Sequence, residues 1–224
     1  MFPFDRPTNY NEMLNKSGIF TFVEGLLLTW FVAHFAPPVS RALEIVKLPV
    51  SIGGLQIPFL YVVPSAIVAL LARVVRLHDW ISDRFRIRHT FDLYRILVPL
   101  AGSVGQSLTI DAREKLARKR KAAMQRTFYL YASFEEPKIS KALVLNAIDT
   151  WTWYWILAEL VCLLIIAAAV LMFFGAYAPA AWILAADCGM ILLFCSAFAV
   201  CGRNADYQIQ EILEDAERVK ALER

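Results

Sequence analysis

Apolar residues in this chain gather into long blocks rather than alternating with polar ones. Four blocks approach the ~20 helical residues that a hydrocarbon core of ~30 Å requires. They run from about Ile19 to Ala36, Ile57 to Val75, Trp153 to Gly175 and Ala178 to Cys201. The first ends at Pro37-Pro38, and the second closes on Arg73 and Arg76. The last two are separated only by Gly175-Ala176-Tyr177-Ala178-Pro179, which predicts an antiparallel helical hairpin. A fifth block, Ile96–Leu108, has 13 uncharged residues, holds Pro99, Gly102 and Gly105, and is flanked by Asp92, Arg95 and Asp111. It is too short to cross and is expected to be buried or interfacial, with re-entrance as the other option. Residues 1–18 lack a basic n-region and no A-x-A site follows the first block, so that block is expected to stay as a span.

The polar intervals complete the expected architecture, an all-α membrane protein with four transmembrane helices. Residues 1–18 form a cytosolic N-terminus, and 19–75 form the first hairpin, with an extracytoplasmic loop at 37–56. Residues 76–150 form a basic helical insert between spans two and three. Residues 151–201 form the second hairpin, and 202–224 a C-terminal cytosolic helix. Within the insert, Thr109–Tyr131 reads as one amphipathic helix whose apolar side holds Ala112, Leu116, Ala123, Met124, Phe128 and Tyr131, interrupted by Arg113 and Arg120. Ser133-Phe134-Glu135-Glu136 resembles a capping box, predicting a helix from about Pro137. In the tail, Ile209, Ile212, Ala216 and Val219 recur at helical spacing and need a partner, either the basic insert or the same helix of another subunit.

Composition agrees with this pattern. The chain has 224 residues and is 58% hydrophobic, against about 45–50% for a soluble domain. Its net charge of +3 hides a steep asymmetry. Residues 76–150 carry 14 Lys and Arg, the termini carry 2 and 4, and the loop at 37–56 carries only Arg41 and Lys47. The positive-inside rule therefore places both termini and the insert in the cytoplasm, in a bacterial inner membrane. Trp151, Trp153, Tyr154 and Trp155 at the inner end of the third span, with Trp30, Tyr177 and Trp182 near the opposite face, match interfacial belts.

Three acids lie inside the spans: Glu24, Glu159 and Asp187. Such groups face protein or water rather than lipid. The three acids either line an ion path or a proton relay, or Glu24 and Glu159, which are at comparable depth, pair with Arg73 or snorkel to the inner interface as assembly glue. Asp187 has no basic residue at its depth. Ala181, Ala185 and Gly189 repeat every four residues, with Ser196 on the same side, a pattern for close helix packing within a subunit or between subunits. Pro64 removes one helical hydrogen bond from the second span and suggests a kink.

Catalytic chemistry is absent from the motifs. There is no G-x-S-x-G, Walker A, H-E-x-x-H or dinucleotide fingerprint. The four cysteines (Cys162, Cys188, Cys195 and Cys201) form no CxxC, and no metal or other cofactor is expected. His78, Asp79 and Asp83 share a helix face but read as a solvated cap. The expected function is a non-enzymatic scaffold or sensor, homo-oligomeric in the lipid bilayer. Its residues Arg113, Lys115, Arg118, Lys119, Arg120, Lys121 and Arg126 would dock a cytosolic protein or anionic lipid. Nucleic acid is not expected, because no stacking aromatics accompany the charge. The alternative is an ion channel or pore-forming effector using the intramembrane acids. By architecture alone, small bacterial four-span subunits with a cytosolic insert work beside soluble partners in signalling and anti-phage systems.

Overall fold

The computed structural model describes residues 5–45, 49–52, 55–105, 109–215 and 218–219. Lys47, the end of the Ile96–Leu108 block, Ala216 and residues 220–224 of the expected tail helix lie outside them. The protein is all-α apart from one short hairpin. Helix α1 covers Tyr10–Phe35 and α2 covers Pro37–Leu43, followed by strands β1 (Pro49–Ile52) and β2 (Leu55–Pro58). Helices α3 (Phe59–Val74), α4 (Leu77–Arg84) and α5 (Ile87–Phe91) precede a π-helical turn at Asp92–Leu97. Then come α6 (Val98–Ser103), α7 (Ile110–Arg118), α8 (Arg120–Arg126) and α9 (Phe128–Tyr131). Two long helices, α10 (Lys141–Phe173) and α11 (Tyr177–Leu213), close the chain.

Among the described residues, three helices are long and apolar enough to cross a membrane: α1, α10 and α11. The expected second span is less simple. Helix α3 has 16 residues, a rise of about 24 Å, and the chain bends by 61° between α3 and α4. Arg76 takes a left-handed conformation at that break, with φ 51. Pro64 lies inside α3, which continues through it.

The chain divides into two compact units. The first comprises residues 1–5, 14–78 and 152–196. Its core joins Val32 and Ala36 to Leu164, Ala168 and Leu171 of α10 and to Ala180 and Ile183 of α11. The expected hairpin between α10 and α11 forms, and Gly175 supplies its turn at φ 78. The amide of Ala176 donates to the Leu171 carbonyl (2.9 Å), which satisfies an orphan carbonyl of the ending helix. Close helix approach occurs where the sequence pattern did not point. A Cβ on Gly25 of α1 would lie 3.3 Å from Ser65 Cβ of α3. By contrast Ala181, Ala185, Gly189 and Ser196 are all exposed, and a Cβ on Gly189 would meet nothing within 4 Å. Packing within the subunit is therefore not their role.

The aromatic cluster entering α10 also departs from a pure interfacial belt. Tyr154 and Trp155 are buried, and Tyr154 stacks on Phe194 at 4.6 Å. Consecutive helical residues point 100° apart, so a run of four aromatics cannot all face outward. Trp30, Tyr177 and Trp182 are exposed, as a belt requires.

The second unit comprises residues 6–13, 79–151 and 197–224. Its buried residues include Phe91, Leu93, Ile96, Leu97, Leu100, Met124, Phe128, Ile148 and Ile212. In the block beginning at Ile96, Ile96, Leu97 and Leu100 are buried, whereas Gly102, Ser103 and Gly105 are exposed. Two expectations need correction here. Thr109–Tyr131 is not one helix, because the backbone breaks at Lys119 and Thr127. Ser133 Oγ does accept from the Glu136 amide (3.2 Å), but the helix starts at Lys141. The tail stripe finds its partner inside the subunit: Ile209 and Ile212 are buried, and Gln208 Nε2 donates to the Leu143 carbonyl (3.1 Å). The 37–56 segment, expected as a plain loop, carries the antiparallel β1–β2 pair, with Pro49 opposite Pro58.

Candidate functional site

In the first unit, Ser17, Thr21 and Glu24 follow one another on α1 at spacings of four and three, which puts them on one face. Glu159 of α10 reaches that face. Its Oε2 accepts from Ser17 Oγ at 2.9 Å and from Thr21 Oγ1. Thr21 Oγ1 also lies 2.9 Å from the Ser17 carbonyl. Ser17, Thr21 and Glu159 are buried at 7%, 2% and 3% exposure. A buried carboxyl group left without partners is costly, and the two hydroxyls supply them. Arg73, the expected partner, is exposed.

Oε2 of Glu24 and Oδ1 of Asp187 are buried and have no hydrogen-bond partner among the described residues. Asp187 is 4% exposed and sits on the same side of α11 as the buried Ala180 and Ile183. The sequence located the three acids. It missed Ser17 and Thr21, although their place on the Glu24 face was readable from spacing. Nearby, Lys16 is buried, with Nζ donating to the Asp5 carbonyl (3.3 Å) and lying 4.5 Å from the Trp153 ring centre.

In the second unit, the basic residues of α7 and α8 separate into two kinds. Arg113, Lys115, Arg118, Lys119, Lys121 and Arg126 are exposed. Arg120 is buried, and its Nη1 donates to Asp92 Oδ2, also buried. Arg120, Met124, Phe128 and Tyr131 form one buried stripe at helical spacing, so Arg120 occupies a core position. This explains its interruption of the apolar stripe and removes it from the docking set. Asp92 was missed, although it is the lone acid in a stretch whose Phe91, Leu93, Ile96 and Leu97 are all buried. Burial pushes the Asp92 carboxyl above its ordinary range, while Arg120, Arg88 and His89 pull it back only in part.

Arg88 extends this network. Its Nη2 donates to the Tyr129 hydroxyl (3.3 Å), its Nη1 lies 3.9 Å from Asp79 Oδ1, and the Tyr10 hydroxyl donates to Asp79 Oδ2 (3.1 Å). Asp79 is therefore engaged by an arginine and a tyrosine, and among the described residues no group of three His, Cys, Asp or Glu side chains is placed to hold a metal ion.

The profile of the YmfE protein family matches residues 9–223. The chain belongs to the YmfE family. The match covers both units of this YmfE-family protein, from the start of α1 through the tail helix. No curated protein and no solved structure matches the chain.

Proposed function

We propose that this YmfE-family protein is a non-enzymatic integral membrane scaffold that presents a basic surface to an acidic protein partner. The observation that carries the reading is the split among seven basic residues. Six project outward, while the seventh, Arg120, is drawn inward by Asp92 and ties their backbone to the core of the second unit. The segment 110–127 contains no aromatic residue. It therefore lacks the stacking platforms that accompany single-stranded nucleic-acid binding and the aromatic wedge of a membrane-surface helix. A solvated face on which cations outnumber acids suits an acidic protein surface.

The proposed setting is a bacterial inner membrane crossed four times, with the bent α3–α4 pair as the second crossing and both termini cytoplasmic. The distribution of Lys and Arg supports this orientation. The exposed small-residue face of α11 leaves room for a neighbouring helix and supports a homo-oligomer.

Polyglutamate peptide titrated onto the purified full chain tests the docking reading. Binding is expected to weaken with salt and to fall in Arg118→Glu/Lys119→Glu/Lys121→Glu, which spares Arg120. Equal binding by the wild type and the triple variant overturns the reading.

A second reading, an ion path, is favoured by the unpartnered buried oxygens of Glu24 and Asp187. Ion flux into liposomes containing the protein, abolished by Asp187→Asn or Glu159→Gln, would establish it. Flux equal to that of empty liposomes would remove it.

A further inference from the structure

The corner between α4 and α5 brings two exposed aromatic rings and two exposed arginines together within seven residues. Trp80 and Phe85 are 57% and 69% exposed although the unit has an apolar core of its own. Arg84 and Arg86 are exposed beside them. Trp80 and Arg84 lie four residues apart and share a helix face. Phe85 and Arg86 make the turn itself. Arg86 takes φ 54, a left-handed conformation that a residue with a Cβ seldom adopts. The turn is held by the Arg86 amide donating to the Asp83 carbonyl (3.3 Å) and the Arg88 amide donating to Ser82 Oγ (3.2 Å), where Ser82 is 1% exposed. Two aromatic rings and two guanidinium groups are thus kept on the surface by a specific local structure. Asp83 is the one acidic side chain between Trp80 and Arg86, which leaves this stretch net positive.

Aromatic rings interleaved with arginines suit the boundary between headgroups and acyl chains, where the ring body is apolar and the cation meets phosphate. Chain connectivity puts the corner near that boundary. Helix α3 rises about 24 Å against a hydrocarbon thickness of ~30 Å, so the proposed second crossing is completed by α4, which carries Trp80 and ends at this corner. Trp80 follows the end of α3 by only six residues. This feature contrasts with residues 110–127, which have the charge without the rings.

We propose that the Trp80–Arg86 corner is an interfacial anchor that binds anionic phospholipid, with Trp80 and Phe85 seated among the upper acyl carbons and Arg84 and Arg86 on the lipid's anionic headgroup. The proposal rests on the membrane placement of the chain but not on the docking of an acidic protein.

Native mass spectrometry of the full chain in detergent, after exposure to equal phosphatidylglycerol and phosphatidylcholine, provides the test. The wild type should retain phosphatidylglycerol in preference. Each arginine near an anionic surface contributes about 1 kcal/mol, so Arg84→Gln/Arg86→Gln should lower that retention by about tenfold or more. Arg84→Lys/Arg86→Lys should keep most of it, which separates lost charge from lost folding. Trp80→Ser/Phe85→Ser should weaken retention of both lipids. Soluble glycerol phosphate should fail to displace the lipid, since it lacks the chains that the rings would hold. Equal retention of the two lipids by the wild type, unchanged retention in the Gln variant, loss in the Lys variant as large as in the Gln variant, or displacement by glycerol phosphate each overturns the proposal. The polyglutamate titration is independent of all these outcomes, so the two readings fail separately.

Discussion

Arg120 and Asp92 form a buried ion pair, 10% and 8% exposed at the side chain, between residues 28 apart in sequence. It fastens α8 to the π-helical turn. In low dielectric the attraction between such groups is offset by the cost of removing both from water, so the pair determines which segments meet more than how stable they are. The exposed basic face is carried on this attachment.

Removing one partner should be far worse than removing both. Arg120→Ala leaves a carboxyl buried without its cation and is expected to cost about 3–5 kcal/mol. Asp92→Leu/Arg120→Met should recover most of that loss. Thermal unfolding of the detergent-solubilised variants checks this, and a double variant no more stable than Arg120→Ala would show that the pair itself supplies the stability.

The same pair predicts a pH dependence. Burial raises the folded-state pKa of Asp92, against the opposing pull of Arg120, Arg88 and His89. A raised value means that the folded state holds the proton more tightly than the unfolded chain. The associated stability is complete below the unfolded value of about 4 and is lost as pH rises through the raised one. The stability of the wild type relative to Asp92→Asn should therefore increase on acidification through that window. A difference independent of pH, measured by paired thermal melts, would contradict the assignment.

Two glycines of α1 should respond oppositely to a methyl group. At Gly18 a Cβ meets nothing within 4 Å, so Gly18→Ala should add about 0.5–1 kcal/mol by stiffening the unfolded chain. At Gly25 the 3.3 Å approach to Ser65 Cβ opposes that gain, and Gly25→Leu should cost about 1–3 kcal/mol by overpacking. Melting temperatures of the two variants test the α1–α3 contact directly.

Thiol chemistry tests the placement of α11. Cys188 and Cys195 are exposed on the protein surface, whereas Cys201 is buried. If α11 crosses lipid, neither a permeant nor a charged maleimide should modify Cys188 and Cys195 in intact vesicles, because only a thiolate in contact with water reacts, and both residues should react once the protein is denatured in detergent. Modification of Cys188 by the charged reagent before detergent is added, read by peptide mass, would place that stretch in water.

Much of the architecture was legible because membrane crossing demands long uninterrupted apolar helices, a signal that survives without knowledge of contacts. Three of the four blocks correspond to long helices of that kind, and Gly175 marks the turn of the second hairpin as its sequence implied. The acids Glu24, Glu159 and Asp187 stood out for the same reason, since charge is rare in such blocks. What neighbours each face was not legible, because hydrophobic periodicity states that a side is apolar without stating what covers it. Only the folded chain assigned Ser17 and Thr21 to Glu159, set Arg120 against Asp92, turned Tyr154 and Trp155 inward and left Ala181, Ala185 and Gly189 outward. These are pairings between residues distant in sequence, and their energies depend on burial and geometry that no single segment carries.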